Sequence, residues 1–326
     1  MLKRLRFPIR YVPFAATVAV FIGAYAIGAI SFKNFFTLRV FVNLFHDNAY
    51  LGIAAVGTGI VILSGGIDLS VGAVIAFTGM LVAKLTACGI NTGLAILIAL
   101  AVGILFGILQ GTLIASFDLP PFLVTLGGMF LARGGSFIIN EEALSILKNP
   151  VLDFIEDNLQ LSLGNGVYLE CIEVVYLIVL LCGIVFTQWT PLGRRIYAIG
   201  VNEQSALLMG VPVARTKIMA YGIAGFCSAL AGIVFTVYLK SGNPLNCIGL
   251  EMDAIAAVVI GGILLTGGVG YLLGSLFGVL TLGLIQVLIM FQGNINSWWT
   301  RIIIGILVLL FIFMQNLITK LSDKKQ

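Results

Sequence analysis

Apolar residues in this chain run in long blocks, and polar residues gather in the gaps between them. A helix needs about 20 consecutive apolar residues to cross the hydrocarbon layer of a membrane. Runs of that order lie near residues 13–31, 48–64, 70–88, 93–116, 121–139, 170–189, 217–239, 252–267, 271–291 and 299–319. Glycine-rich stretches near 64–72 and 261–270 blur two of the boundaries. The pattern predicts an all-α polytopic membrane protein of about ten transmembrane helices, with residues 1–326 forming one transmembrane domain.

Composition agrees with the pattern. Mean hydropathy is +1.12, 60% of residues are hydrophobic, and only 10% are charged, against roughly 25% in an average soluble domain. A water-soluble globule could not hide this much apolar surface, and disorder requires the opposite composition. The first apolar run follows the basic residues Lys3, Arg4, Arg6 and Arg10, as in a secretory signal. No clear small-x-small cleavage site precedes Ser31, so the run reads as an uncleaved first span.

The placement of charge then predicts topology, because lysine and arginine collect on the cytoplasmic side. With a cytoplasmic N-terminus, ten spans return the C-terminus to the same side. The inside then holds Lys3, Arg4, Arg6, Arg10, Arg194, Arg195, Arg215, Lys217, Lys320, Lys324 and Lys325, eleven of the 18 basic residues. The outside loops hold Lys33, Arg39, Lys148 and Lys240. The acidic residues Glu141, Glu142, Asp153, Glu156, Asp157 and Glu170 fall in the longest external loop, about 140–169. The formal charge of +4 is therefore topological, and a nucleic-acid partner is not expected. The second long loop, about 190–216, lies inside. Its stretch Glu203 to Met209 has good helix formers after Asn202, which is placed to cap them, and Gly210 and Pro212 stop the helix. A short helix held between two spans at the cytoplasmic face suits docking to a partner; a merely solvated connector is the plainer reading.

An internal repeat is legible at low contrast. Residues 66–79, GIDLSVGAVIAFTG, align without a gap on 249–262, GLEMDAIAAVVIGG. Gly66, Ala73 and Gly79 meet identical residues, and Asp68 meets Glu251, each just where an apolar run begins. Five spans separate the two, so the second copy would be inverted, an arrangement common in transporters. The 39 glycines are well above the roughly 7% of ordinary chains and favour close helix packing or broken helices. Channels and membrane enzymes want the same packing.

Few residues are equipped for catalysis. His46 is the only histidine, which argues against an imidazole metal centre; no metal, cofactor or catalytic residue is expected. Cys88, Cys171, Cys182, Cys227 and Cys247 have no C-x-x-C spacing and read as buried, inert thiols. Asp68, followed by Ser70, is either a polar group on a translocation path or a cap for the next helix. Glu251 and Asp253 read the same way at the outer face, leaning to capping. Arg301, after Trp298 and Trp299, fits an interfacial belt. Arg133 lies deeper and needs a carboxylate or free carbonyls. There is no G-x-x-x-x-G-K-[ST], no H-E-x-x-H and no G-x-S-x-G, so this chain neither cradles ATP in that way nor carries familiar hydrolytic motifs. Its ionisable groups gather at span ends, where a proton-coupled carrier would bury several mid-span. Energy for transport then has to come from another chain.

These motifs resemble a family. LSGGIDLSVG (63–72) is similar to the signature of bacterial ABC-type monosaccharide importer permeases, the ribose, xylose and arabinose group. The likeness continues in order through LGGMFLARGG (126–135), YAIGVNEQSALLMGV (197–211), MDAIAAVVIGG (252–262) and GGVGYLLGSLFGVL (267–280). DNAYLGI (47–53) and SWWT (297–300) are most similar to galactofuranose transporter permeases. The resemblance implies a multi-pass permease in the bacterial inner membrane, an ABC ATPase subunit on the cytoplasmic face, a periplasmic sugar-binding protein outside, and a second permease chain, identical or not. It implies that Gly200, Asn202, Glu203, Ala206 and Gly210 belong to the loop that couples to the ATPase; Val201 stands where relatives often carry a second glycine. Asp68 and Ser70 are carried over as motif residues only. The rival readings are a permease for another small solute such as a branched-chain amino acid, a self-sufficient secondary transporter, and a membrane-embedded enzyme.

Overall fold

A computed structural model of the chain describes residues 12–146, 149–150, 160–164, 166–293 and 298–323. Lys3, Arg4, Arg6, Arg10, Lys148, Asp153, Glu156, Asp157, Ser297, Lys324 and Lys325 lie outside the described residues. Among the described residues there are twelve helices: α1 (Val12–Ser31), α2 (Leu38–Leu63), α3 (Val71–Ala87), α4 (Thr92–Ser116), α5 (Pro121–Ile139), α6 (Cys171–Trp189), α7 (Pro191–Val201), α8 (Glu203–Leu208), α9 (Val213–Leu239), α10 (Leu250–Ile260), α11 (Leu272–Gln292) and α12 (Trp298–Asp323). Strand structure is limited to two short ladders. One pairs β1 (Leu144–Ser145) with β4 (Ser241–Gly242), and the other is a hairpin of β2 (Leu161–Gly164) and β3 (Val167–Leu169).

Seven of these helices, α1, α4, α5, α6, α9, α11 and α12, are long and apolar enough to cross a membrane. The fold is therefore all-α and polytopic. The central helix α2 is 26 residues long and starts ten residues before the predicted span, capped by Thr37, whose hydroxyl accepts from the Val40 amide. Its early polar residues, Asn43, His46, Asp47 and Asn48, mask it from a hydropathy reading. The predicted span 252–267 is helical only over Leu250–Ile260. Eleven residues rise about 16 Å, half of a hydrocarbon layer of about 30 Å. Gly262, Gly267, Gly268 and Gly270 then take positive φ and the chain winds through non-helical backbone to α11.

Glycine contacts fix the direction of each helix. On α4 and α9, Gly103 faces Ala229 and Gly225 while Gly111 faces Ile218, so the two are antiparallel. α2 is also antiparallel to α9, with Gly57 against Ala224 and Cys227, and Val61 in one cluster with Tyr221. α3 runs along α9, with Gly232 against Ile75 and Gly79 against Thr236. α11 is antiparallel to α10 (Gly278 on Ala257, Gly274 on Gly261) and to α2 (Leu272 on Gly59, Asn48 on Gly283). It follows that α3 and α10 point in opposite directions. They meet first turn to first turn: a side chain at Gly72 would run into the Cys247 carbonyl and the Glu251 carboxylate. That meeting point is level with the middle of α9, since Ile75, one turn further along α3, already packs on Gly232.

Two links thus fold back into the bundle. After α2, residues 64–70 return to its middle, where α3 begins; after α9, residues 240–249 return to the same level, where α10 begins. Packing follows the same scheme twice. α3 packs on α4, α5 and α9, while α10 packs on α11, α12 and α2. The core sits between α2 and α9, with α10, α6 and α11 closing around it.

Candidate functional site

The first link is sealed. Asp68 is 3% exposed, and its Oδ1 accepts from the Ser70 amide (2.8 Å) and from the Ser70 hydroxyl (2.7 Å). Ser70 is the N-cap residue of α3, but its own side chain makes no cap bond. The carboxylate of Asp68 instead ties the turn that starts the helix, which is a capping role. Around it lie Gln110 of α4, whose Oε1 is 3.3 Å from the Ser70 hydroxyl, Thr125 of α5 and Tyr221 of α9, whose hydroxyl donates to the Ile67 carbonyl at 3.3 Å. All three are buried. Sequence reading missed Gln110, Thr125 and Tyr221, because each looks like an isolated polar residue in an apolar run.

The second link is held by arginines and is open. Arg133 of α5 donates through Nη1 to the carbonyls of Pro244 (2.6 Å) and Asn246 (2.7 Å). That answers the question its depth in the sequence raised: its partners are backbone carbonyls. Arg301 of α12 donates to Asp253 of α10 at 2.6 Å, with 52% of the arginine side chain exposed. Arg301 is therefore not a simple belt residue, and the Asp253 carboxylate serves the arginine. α10 is capped by Gly249 at φ 83° with no side-chain bond. One oxygen of Glu251 is buried without a hydrogen-bond partner.

The loop at the other end is built as a plug. α7 is capped by Thr190, whose hydroxyl accepts from Gly193, and ends at Asn202. Asn202 in turn caps α8, its side chain accepting from the Ser205 amide at 2.7 Å. Glu203 bridges to Lys217 of α9 at 2.6 Å. Ala206 is fully buried in a cluster with Ile199 and Val213, and Gly210 turns the chain at φ 78°. The predicted helix and its stop are both present here. Gly200 is the tightest point: a methyl group there would strike the Leu63 carbonyl and the Gly268 amide. Gly268 donates its amide to the Leu63 carbonyl (2.9 Å), and Tyr197 donates to Gly270 (2.8 Å). The loop is therefore wedged where the first link starts and where the chain leaving α10 passes. Its outer face is apolar, with Val201, Leu207, Leu208 and Met209 exposed, Leu208 by 89%. A polar cleft of about 390 Å³, lined by Gly65, Asp118, Asn202, Glu203, Lys217 and Tyr221, separates α8 from the α4–α5 connection.

The structure thus places Gly200, Asn202, Glu203, Ala206 and Gly210 in one compact unit, and Asp68 with Ser70 in another. Among the described residues no group of histidine, cysteine and carboxylate side chains is arranged to hold a metal. Cys88 and Cys182 are exposed, contrary to the reading of all five thiols as buried, and Cys227 is buried. Cys182 sits on α6, where it lines an apolar groove with Ile223 and Phe226 of α9.

Comparison with known proteins follows this geometry. Residues 40–312 match the family described as branched-chain amino acid transport system / permease component. The chain is 44% identical over 318 residues to the inner membrane ABC transporter permease protein YjfF of Escherichia coli, covering 97% of this chain and 96% of that one. It is 38% identical to the fructose import permease protein FruG of Bifidobacterium longum, covering 97% and 94%. It is 37% identical to the ribose import permease protein RbsC of Bacillus subtilis, covering 84% of each. No solved structure matches.

Proposed function

The chain belongs to the permease family of ABC transport systems, and from that premise we propose that it is the membrane-spanning subunit of an ATP-driven monosaccharide importer. One observation carries the choice of substrate: the permeases it aligns with nearly end to end include those named for fructose and ribose import, although the family description speaks of branched-chain amino acids. Among sugars, galactofuranose is the narrowest form of the proposal and rests on the resemblance of residues 47–53 and 297–300. A permease for branched-chain amino acids is the second reading, favoured by the family description alone.

In this reading α2, α3 and α10 join the seven long helices to give ten membrane segments. Segments α2–α5 and α9–α12 are two inverted copies of one unit, which the opposed short helices α3 and α10 support. The charge placement puts both termini and α7–α8 in the cytoplasm of a bacterial inner membrane. The ATPase subunit docks on the exposed apolar face of α8; residues 190–216 form the coupling loop, and Gly200, Asn202, Glu203, Ala206 and Gly210 hold it in shape. Closure of the ATPase dimer moves α8, and the wedge at Gly200 passes that motion to both links. A periplasmic sugar-binding protein delivers the sugar, and a second permease chain completes the path. Passage needs weak contacts, since a tight site would slow release.

The test is reconstitution in liposomes with the cognate ATPase and binding protein, followed by uptake of labelled ribose, fructose, galactofuranose and leucine. Sugar uptake that requires ATP is expected. Accumulation without the ATPase would make the chain a secondary transporter, and uptake of leucine alone would select the second reading. Glu203→Leu or Gly210→Leu is expected to leave the protein inserted while separating ATP hydrolysis from uptake. Normal transport-coupled hydrolysis in these variants would reject the docking assignment.

A further inference from the structure

The second link and the pair Asp253–Arg301 share a property that lipid does not tolerate. Residues 240–249 are non-helical, and the link re-enters the bundle to mid-level, yet Leu245 and Ile248 there are 58% and 60% exposed. Backbone outside a helix survives at membrane depth only where it is buried in protein or lines a water-filled cavity. Asp253 lies in the first turn of α10, so its ion pair with Arg301 is at the same depth. An exposed charge pair at that level must likewise face water or another polar partner. The link and the pair lie on one side of the molecule, where a groove of about 620 Å³ opens between α11 and α12. Arg301, Trp298, Thr300 and Gln286 line it, beside the apolar Ile289 and Met290. That volume is within the range of small-ligand sites.

The chemistry of this lining is that of a neutral polyol, not of a zwitterion. Asp253, which is not itself part of the lining, accepts from Arg301 and orients it, and the guanidinium has N–H groups beyond the one it gives to the carboxylate. A sugar hydroxyl both donates and accepts, so it can take a bond from the guanidinium and give one to a neighbouring amide oxygen. An amino acid would bring its own two charges against a pair that is already neutral. Gln286 adds an amide with both capacities, and the Trp298 ring offers a flat apolar face of the kind that meets the C–H face of a sugar ring. We propose that the α11–α12 groove is a monosaccharide subsite on the wall of a water-filled translocation path, with Arg301, held in place by Asp253, and Gln286 bonding ring hydroxyls and Trp298 covering the ring. This rests on the importer reading above and locates the sugar contact that reading left unplaced.

The test uses the complete transporter in proteoliposomes, with the parental chain's sugar uptake as reference. In the first arm, Ile289→Trp fills the groove while both members of the ion pair are retained. It should lower sugar uptake about tenfold or more, with basal ATP hydrolysis unchanged. Unchanged uptake overturns the proposal. In the second arm, Asp253→Asn and Arg301→Gln should raise the KM for sugar uptake with insertion intact; an unchanged KM in both overturns the hydroxyl contacts. A third arm reads the groove directly and does not depend on transport. Ile289→Cys should react with a membrane-impermeant thiol reagent above the parental labelling of the native cysteines, and saturating sugar should slow the reaction. Failure to label, or a spontaneous disulfide between two copies in place of labelling, assigns the face to lipid or to the subunit interface and overturns the proposal. If the parental chain transports leucine and no sugar, the importer reading fails on that result alone, while the labelling still reports whether the groove holds water.

Discussion

The links 64–70 and 240–249 make the same manoeuvre, each leaving the end of a long helix and folding back to the middle of the bundle, yet they are held in opposite ways. Around Asp68 the first is closed over by α4, α5 and α9, and nearby side chains bond its polar groups: Asp68 on Ser70, and Tyr221 and Thr125 on the Ile67 carbonyl. The second is open along one side and is held by two long cationic arms from different helices, Arg133 and Arg301. A sealed link needs local, exact pairing because no water can substitute for a missing partner. An open link can be gripped from a distance, because its remaining polar groups face water. The difference assigns rigidity to one half of the molecule and a solvent-facing surface to the other.

The largest effect is expected at the wedge between the two halves. Gly200→Val places a branched side chain against the Leu63 carbonyl and the Gly268 backbone, neither of which can rotate away. The cost should exceed the about 1–3 kcal/mol typical of overpacking, and size-exclusion profiles of the purified protein should show loss of the folded species. The next largest effect is expected at the sealed link. Asp68→Ala strips the acceptor from the Ser70 amide and hydroxyl in a buried site, a loss of about 1–3 kcal/mol, visible as a lower midpoint of thermal unfolding in detergent. Asp68→Asn retains an acceptor and should recover part of it.

At the open link the same kind of deletion should be milder. Arg133→Met frees the carbonyls of Pro244 and Asn246, whose bonds are part-buried where those of Asp68 are buried. The thermal midpoint should fall by less than in Asp68→Ala, while hydrogen exchange at the amides around 244–247 rises. Equal midpoint shifts in the two variants would erase the distinction drawn here. The smallest effect is expected at Gly127→Ala on α5, where an added methyl meets nothing within 4 Å. Uptake and midpoint should match the parental chain, apart from a gain of up to about 1 kcal/mol from helix propensity.

Much of this was legible in the sequence because it depends on neighbours in the chain. The cap at Asn202, the short helix after it and the stop at Gly210 follow from residues within eight positions, and the structure has all three. The long apolar helices were legible for the same reason. The start of α2 was not, since His46, Asp47 and Asn48 look like a loop until Glu173 of α6 meets His46 (3.0 Å) and the Asn48 amide turns back onto the Leu44 carbonyl (2.9 Å). α10 was read as a full span because hydropathy does not register where glycines with positive φ end a helix.

Long unbroken apolar runs by themselves determined that this chain is a bundle of membrane helices, because only helices and closed barrels satisfy the backbone in lipid and barrel strands are short and alternate in polarity. Which polar residues share a site was decided only by tertiary packing. Arg133 and the carbonyls it grips are more than a hundred positions apart, as are Gly200 and the Leu63 backbone it touches, and Arg301 lies 48 positions from Asp253. No local pattern encodes such meetings. They exist because α3 and α10 begin at one level in the bundle and point in opposite directions, and that geometry arises only when every helix is in place.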